Sequence, residues 1–152
     1  MKIAIASDHA AVDERLAVVE HLRGAGHEVI DFGCEAGQSV DYPDYGAKVA
    51  HAVAGGEAER GILICGTGIG ICMAAGKVDG IRAATVHDDF TAAMCREHND
   101  ANVMCMGARV IPTSTMLRLT DLFLTTAFGE GRHAGRVAKI MALEENGASV
   151  GA

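Results

Sequence analysis

Short apolar runs and amphipathic stretches alternate along the whole chain. Runs at residues 3–6, 28–32, 61–65, 81–86 and 103–106 have the length and composition of buried strands. The stretches between them repeat at helical spacing. In residues 11–24, Leu16, Val19 and Leu22 recur on one face among Asp13, Glu14, Arg15 and Glu20, and Gly24 and Gly26 then stop the helix. Tyr42-Pro43-Asp44-Tyr45 turns into a helix reaching about residue 54, because a proline in the first turn lacks only an N–H that would have no intrahelical partner. Another helix leaves the third strand and ends near Gly76-Lys77, and Asp88 is placed to cap one that runs to Glu97. Residues 113–126 and 132–144 read as closing helices. Strands alternating with helices are the pattern of a parallel sheet covered on both faces.

Composition adds limits to that picture. A chain of 152 residues with 49% apolar content can fill one core, so residues 1–152 are expected to be a single domain, with 145–152 small and polar enough to fray. The net charge of −7 argues against nucleic acid and against a membrane surface, both of which need a basic face, so any phosphate site must be local. Cysteines at 34, 65, 72, 95 and 105 form no CxxC pair and no zinc spacing, which fits reduced thiols in the cytoplasm. No segment approaches the ~18 apolar residues of a membrane span. The apolar run between Lys2 and Asp8 is too short for a signal-peptide core. A cytoplasmic, soluble protein is the expectation.

In open parallel sheets ligands sit beyond the carboxyl ends of the strands. Those positions carry Ser7-Asp8-His9, Cys65-Gly66-Thr67, His87-Asp88 and Gly107-Ala108-Arg109. The richest is Cys65-Gly66-Thr67-Gly68-Ile69-Gly70. Alternate glycines let the backbone turn sharply and expose N–H groups, and the helix that follows aims its positive dipole end at the same spot, which suits an anion and favours a thiolate. Ile71 occupies the last glycine of a dinucleotide fingerprint, and Gly76-Lys77-Val78 breaks a P-loop, so nucleotide chemistry is disfavoured. Alone, the run also reads as a plain tight turn and Cys65 as a buried structural thiol.

Other residues carry similar pairs of readings. His98-Asn99 sits in a dense polar link, residues 96–102, where a helix cap is the ordinary role. Arg132 and Arg136 share one helix face and can clamp a phosphate with directed donors, or form a solvated basic face. Asp44 beside Tyr42 either orients a substrate hydroxyl or caps a turn. Cys34, Cys72, Cys95 and Cys105 read as small core residues, and His21, His27 and His51 as surface or turn residues. His133 reads as a helix cap, and His87 is not counted in the site.

Seven segments in order carry a stronger signal: Ser7-Asp8-His9-Ala10, Asp41-Tyr42-Pro43-Asp44, the run 65–70, Gly80-Ile81-Arg82-Ala83, the run 97–102, Gly107-Ala108-Arg109-Val110, and Gly131-Arg132-His133 with Arg136-Val137. Together they resemble the ribose-5-phosphate isomerase B family, which includes galactose-6-phosphate and allose-6-phosphate isomerases, over residues 2–144. The resemblance implies an α/β, Rossmann-like three-layer αβα sandwich with a five-stranded parallel sheet. It also implies a homodimer, or a tetramer of paired dimers, with active sites shared between subunits. Cys65 would be the base that moves a proton between C2 and C1, with Thr67 beside it and the amides around Gly66, Gly68 and Gly70 as the enediolate hole. Asp8 and His98 would open the furanose ring. His9, Arg132 and Arg136 would hold the phosphate, and Tyr42, Asn99 and Arg109 would lie around the sugar, with His98, Asn99 and the arginines partly from the other subunit. No cofactor and no metal is called for.

The chemistry fits those roles. Abstracting a proton beside a carbonyl develops charge on its oxygen, and a preorganised amide donor there lowers the barrier by roughly 3–4 kcal/mol at the upper end. One branch of the family places a glutamate base soon after the glycine loop; Ile71 stands there, so the chain resembles the cysteine branch. Ala11 and Gly76 depart from the family's usual glycine and asparagine, beside site loops rather than at the proton transfer. Ribose 5-phosphate to ribulose 5-phosphate is the expected reaction. Tetrulose 4-phosphate, allose 6-phosphate or galactose 6-phosphate, or a non-catalytic sugar-phosphate binding role, are the alternatives.

Overall fold

The structure, a computed structural model, describes residues 1–148, and side chains to residue 144. The chain runs β1 (Lys2–Ser7), a 3-10 turn (His9–Ala11), α1 (Val12–Gly24), β2 (Glu28–Asp31), α2 (Tyr42–Ala54), β3 (Arg60–Cys65), α3 (Ile69–Ala75), β4 (Ala83–Thr85), α4 (Asp89–Glu97), β5 (Val103–Gly107), α5 (Thr113–Thr125) and α6 (Arg132–Ala148). The strands form one five-stranded sheet in the order β2-β1-β3-β5-β4, every neighbouring pair parallel. This is the expected α/β sandwich. No helix among the described residues is long and apolar enough to cross a membrane.

Side chains alternate across a strand, so each strand feeds two cores. Ile3, Ile5, Ile62, Ile64, Met104 and Met106 face one layer, where they meet Val18, Val19 and Leu22 of α1, Ala92 and Cys95 of α4, and Met116, Leu119 and Phe123 of α5. Ala4, Ala6, Leu63, Cys65, Val103 and Cys105 face the other, against Val49, Ala50 and Val53 of α2 and Ile71 and Ala75 of α3. Fully burying each of the large aliphatic side chains contributes about 1.5–3 kcal/mol. The chain order reverses direction in the sheet between β1 and β3, which is where such folds open a crevice at the carboxyl edge. Ser7 pairs with Ile64 there, so Asp8 and Cys65 leave the sheet side by side.

Three local expectations change. The buried face of α1 is Val12, Arg15, Val18, Val19 and Leu22, so Arg15 is inside and Leu16 is 48% exposed. Arg15 is buried because its charge is answered: Nη1 donates to Cys34 O at 2.8 Å and to Ser7 Oγ at 3.3 Å, and Nε lies 3.2 Å from Asp31 Oδ1 without a well-aligned hydrogen bond. β4 is only three residues long. Ile81 N–H closes a turn onto Val78 O and Arg82 N–H goes to Asn102 Oδ1, so neither donates to the ladder, although Arg82 O still accepts from Asn102 and Val103 N–H. α6 passes the expected end at 144 and continues to Ala148. Glu144 Oε1 accepts the Gly80 N–H at 2.9 Å and ties that part of the helix to the body. The rest of the expected frayed tail, residues 149–152, lies outside the described residues.

Candidate active site

At the carboxyl edge β1 and β3 deliver Asp8 and Cys65 together. Asp8 is buried, its N–H donates to Ile64 O, and its Oδ1 accepts the Ala10 N–H at 2.9 Å, which caps the 3-10 turn. His9 follows and is exposed. Its Nδ1 lies 3.1 Å from Val40 O and 3.2 Å from Val40 N, so the tautomer decides which bond forms. The segment holding Val40 then enters α2, whose first residue, Tyr42, lies over the start of α3. A Cβ at Gly70 would stand 2.6 Å from Tyr42 Cζ, so this contact requires glycine.

Cys65 is 4% exposed, and its Sγ accepts the Gly68 N–H at 3.2 Å. Charge on the sulfur strengthens that bond. Gly68 adopts φ +76°, and a Cβ on it would come 2.8 Å from Met106 C, so both conformation and space demand glycine. Thr67 is exposed, and its Oγ1 accepts the Ile69 N–H at 3.2 Å. Two amides of the loop are thus already directed at loop side chains, fewer being left for an anion than the run of glycines suggests. The residues just after β5 hold the loop: Ala108 N–H donates to Cys65 O at 2.8 Å and Arg109 N–H to Gly66 O at 3.0 Å. The Arg109 side chain runs along Gly66, its Nη1 3.3 Å from where a Cβ there would sit.

His87 stands at this edge, as its place after the fourth strand predicts, although it is not among the expected site residues. Its Nε2 accepts the Gly107 N–H at 3.0 Å, and burial, against a smaller opposing influence of Asp88, holds its imidazole below the ordinary value of 6.5. Its position directly after β4 was the available signal. Thr85 joins in as well, donating to Gly68 O at 3.1 Å. Cys34, Cys95 and Cys105 are core residues as expected, and burial pushes the Cys95 thiol up to about 11. Cys72 is not. It is half-buried, and hydrogen bonding from Cys105, offset by burial and aided by Thr85, brings it down to about 6.

His98, Asn99, Arg132 and Arg136 lie elsewhere. Asp88 caps α4, its Oδ1 accepting the Thr91 N–H at 2.8 Å, so the helix starts at the carboxyl edge and runs back to end at the amino edge. His98 and Asn99 therefore sit beside the starts of β4 and β5, a strand length of about 17 Å from the glycine loop. Gly129 N–H donates to Glu97 O at 2.8 Å and docks the entry to α6 on the end of α4. His133 consequently stacks on His98, with ring centroids 4.4 Å apart and planes 10° from parallel. Desolvation, then the electrostatic influence of His98, Arg132 and Arg136, lowers the His133 pKa, with Glu97 opposing. Arg132 and Arg136 are both exposed on the same turn of surface. One chain thus carries two separate clusters, a thiol and glycine loop at one edge and the His98, His133, Arg132 and Arg136 group at the other.

A thiol on a glycine turn at the crevice of a parallel sheet suits an α/β protein that takes a small anionic ligand. The chain belongs to the ribose/galactose isomerase family, whose model matches residues 3–140. It is 51% identical over 146 residues to a putative sugar phosphate isomerase of Bacillus subtilis, covering 95% of this chain and 98% of that one. The ribose-5-phosphate isomerase B of Clostridium thermocellum superposes with a TM-score of 0.94 at 50% identity, covering 96% and 99% of the two chains. That of Mycoplasma genitalium, solved with bound ribulose 5-phosphate, superposes with a TM-score of 0.92 at 41% identity, covering 95% and 96%. The protein is a sugar-phosphate isomerase of the aldose–ketose class.

Proposed function

We propose that the protein interconverts ribose 5-phosphate and ribulose 5-phosphate through a cis-enediolate, with Cys65 as the base. The observation that carries this reading is the Gly68 N–H aimed at Cys65 Sγ, beside Asp8, at the sheet crevice. Asp8 and, from a second copy of the chain, His98 exchange the protons that open the furanose. The Cys65 thiolate takes the proton from C2, and negative charge develops on the C1 oxygen, where the unengaged loop amides meet it. The thiol returns the proton to C1 while the C2 hydroxyl proton leaves for the C1 oxygen, with Thr67 beside this exchange. Proton transfer by a positioned group contributes typically about 10²–10⁴-fold.

The separation of the two clusters supports a homodimer, or a tetramer of paired dimers, in which His98, Asn99, Arg132 and Arg136 of one subunit complete the loop site of the other. His9 and the two arginines then hold the phosphate, and Tyr42, Asn99 and Arg109 surround the sugar. The free cysteines suit the cytoplasm. The test is incubation with four-, five- and six-carbon aldose and ketose phosphates in heavy water, following deuterium entry at C1 and C2 by NMR. Fastest exchange on the ribose 5-phosphate pair is expected; faster exchange on a tetrulose 4-phosphate or a hexose 6-phosphate would reassign the substrate.

A further inference from the structure

We infer that Asp100 is a positioning residue, fixing the His98-Asn99 turn relative to α6 through joint contacts with Arg96 and Arg82. The inference rests on the reading that His98 and Asn99 serve the active site.

Asp100 stands at φ +47°, the left-handed region where a helix ending normally places glycine or asparagine. The turn closes through Asp100 N–H to Arg96 O at 3.0 Å and Ala101 N–H to Cys95 O at 2.9 Å, leaving His98 and Asn99 on the outside of the bend. Backbone geometry alone would favour glycine here, so the carboxylate needs its own reason. Both its oxygens are used: Oδ1 accepts from Arg96 Nη1 at 2.8 Å, and Oδ2 from Arg82 Nη2 at 3.0 Å. Arg82 Nε also donates to Asp100 O at 2.8 Å, and Arg96 Nη1 to Ala101 O at 2.6 Å.

These contacts join three parts of the fold. Arg96 is in α4 and is 3% exposed, so its direction is fixed by packing. Arg82 leads into β4, and its Nη1 donates to Met141 Sδ of α6 at 3.4 Å. Asp100 therefore connects the end of α4 to the helix that carries Arg132, His133 and Arg136. The stacked His98 and His133 rings are the place where a slip of the two elements would register first. A one-ångström misplacement of a positioned group can cost on the order of 100-fold in rate.

The test uses Asp100→Asn, which keeps shape and tolerates the left-handed turn, and Asp100→Gly, which removes any cost of that turn. Arg82→Gln serves as a third variant that leaves the Arg96 pair intact. Ring resonances of His98 and His133 and the contact between them are read by NMR on the folded fraction, alongside kcat and KM. Shifted rings in Asp100→Asn and Asp100→Gly, with kcat on ribose 5-phosphate down about 10-fold or more, are expected, and a smaller movement in Arg82→Gln. Unmoved rings with unchanged kcat, even with a lowered Tm, overturn the inference and leave Asp100 a plain structural residue. Wild type inactive on every sugar phosphate would instead remove the functional reading, and the ring resonances alone would still decide whether Asp100 positions His98.

Discussion

The backbone N–H of Gly68 points at Cys65 Sγ from 3.2 Å, three residues along the same turn. Residue 68 itself takes the left-handed conformation, and only a residue without a Cβ clears Met106. Gly68→Ala should therefore strain the turn by about 1–3 kcal/mol. The expected result is a lower Tm together with a fall in kcat larger than any rise in KM, measured by thermal melts and steady-state kinetics.

In the proposed mechanism His98 acts only on the ring form of the sugar. Ribose 5-phosphate closes to a furanose, whereas ribulose 5-phosphate cannot, because its C5 oxygen carries the phosphate. His98→Asn should reduce turnover of ribose 5-phosphate about 10-fold or more and affect ribulose 5-phosphate much less. Initial rates in the two directions check this.

Cys72 should be the most readily alkylated of the four cysteines other than Cys65. It is half-buried and titrates at about 6, while Cys95 sits at about 11 and Cys105 well above its ordinary value. The rate of Cys72 alkylation by iodoacetamide, followed by peptide mass spectrometry, should reach half its maximum near pH 6. Cys95 and Cys105 should stay unlabelled in the folded protein.

His87 ties stability to pH. Its proton is held less tightly in the folded chain than at the ordinary value of 6.5, so the unfolded chain takes up the proton first as pH falls. Its contribution is fully present above 6.5 and is lost as pH drops through that value toward the lower folded-state one. Gly107 N–H also needs an unprotonated Nε2 as acceptor. In a Tm-against-pH series, His87→Gln, which keeps an acceptor, should flatten the decline below pH 6.5.

Much of this was legible in the sequence because local signals agreed with the fold. The bounds of α2 follow from Pro43 and the apolar spacing, and the Asp88 cap is visible as a residue type at a helix start. Asp8, Cys65 and Arg109 could be grouped because strand ends in a parallel sheet share an edge. Arg15 could not be placed inward, since its partners Ser7, Asp31 and Cys34 come from other segments. Residue 15 nevertheless keeps helical spacing with Val12, Val19 and Leu22, so the position was readable even where the charge was not. Cys72 escaped for a similar reason: its setting arises where α3 crosses the short strand holding Thr85 and the neighbouring one holding Cys105. The opposite placement of His98 follows from the direction of a helix between two parallel strands.

The central claim is that Cys65 of one subunit works with Arg132 and Arg136 of another. Cys65→Ser protein and Arg132→Ala/Arg136→Ala protein, each inactive alone, are unfolded together in equal amounts and refolded, and isomerase activity is measured. Random pairing places one intact site in each mixed dimer, so activity should return to about a quarter of wild type. No recovery in a mixture shown to contain mixed dimers, or near-wild-type activity in either parent, would contradict the account.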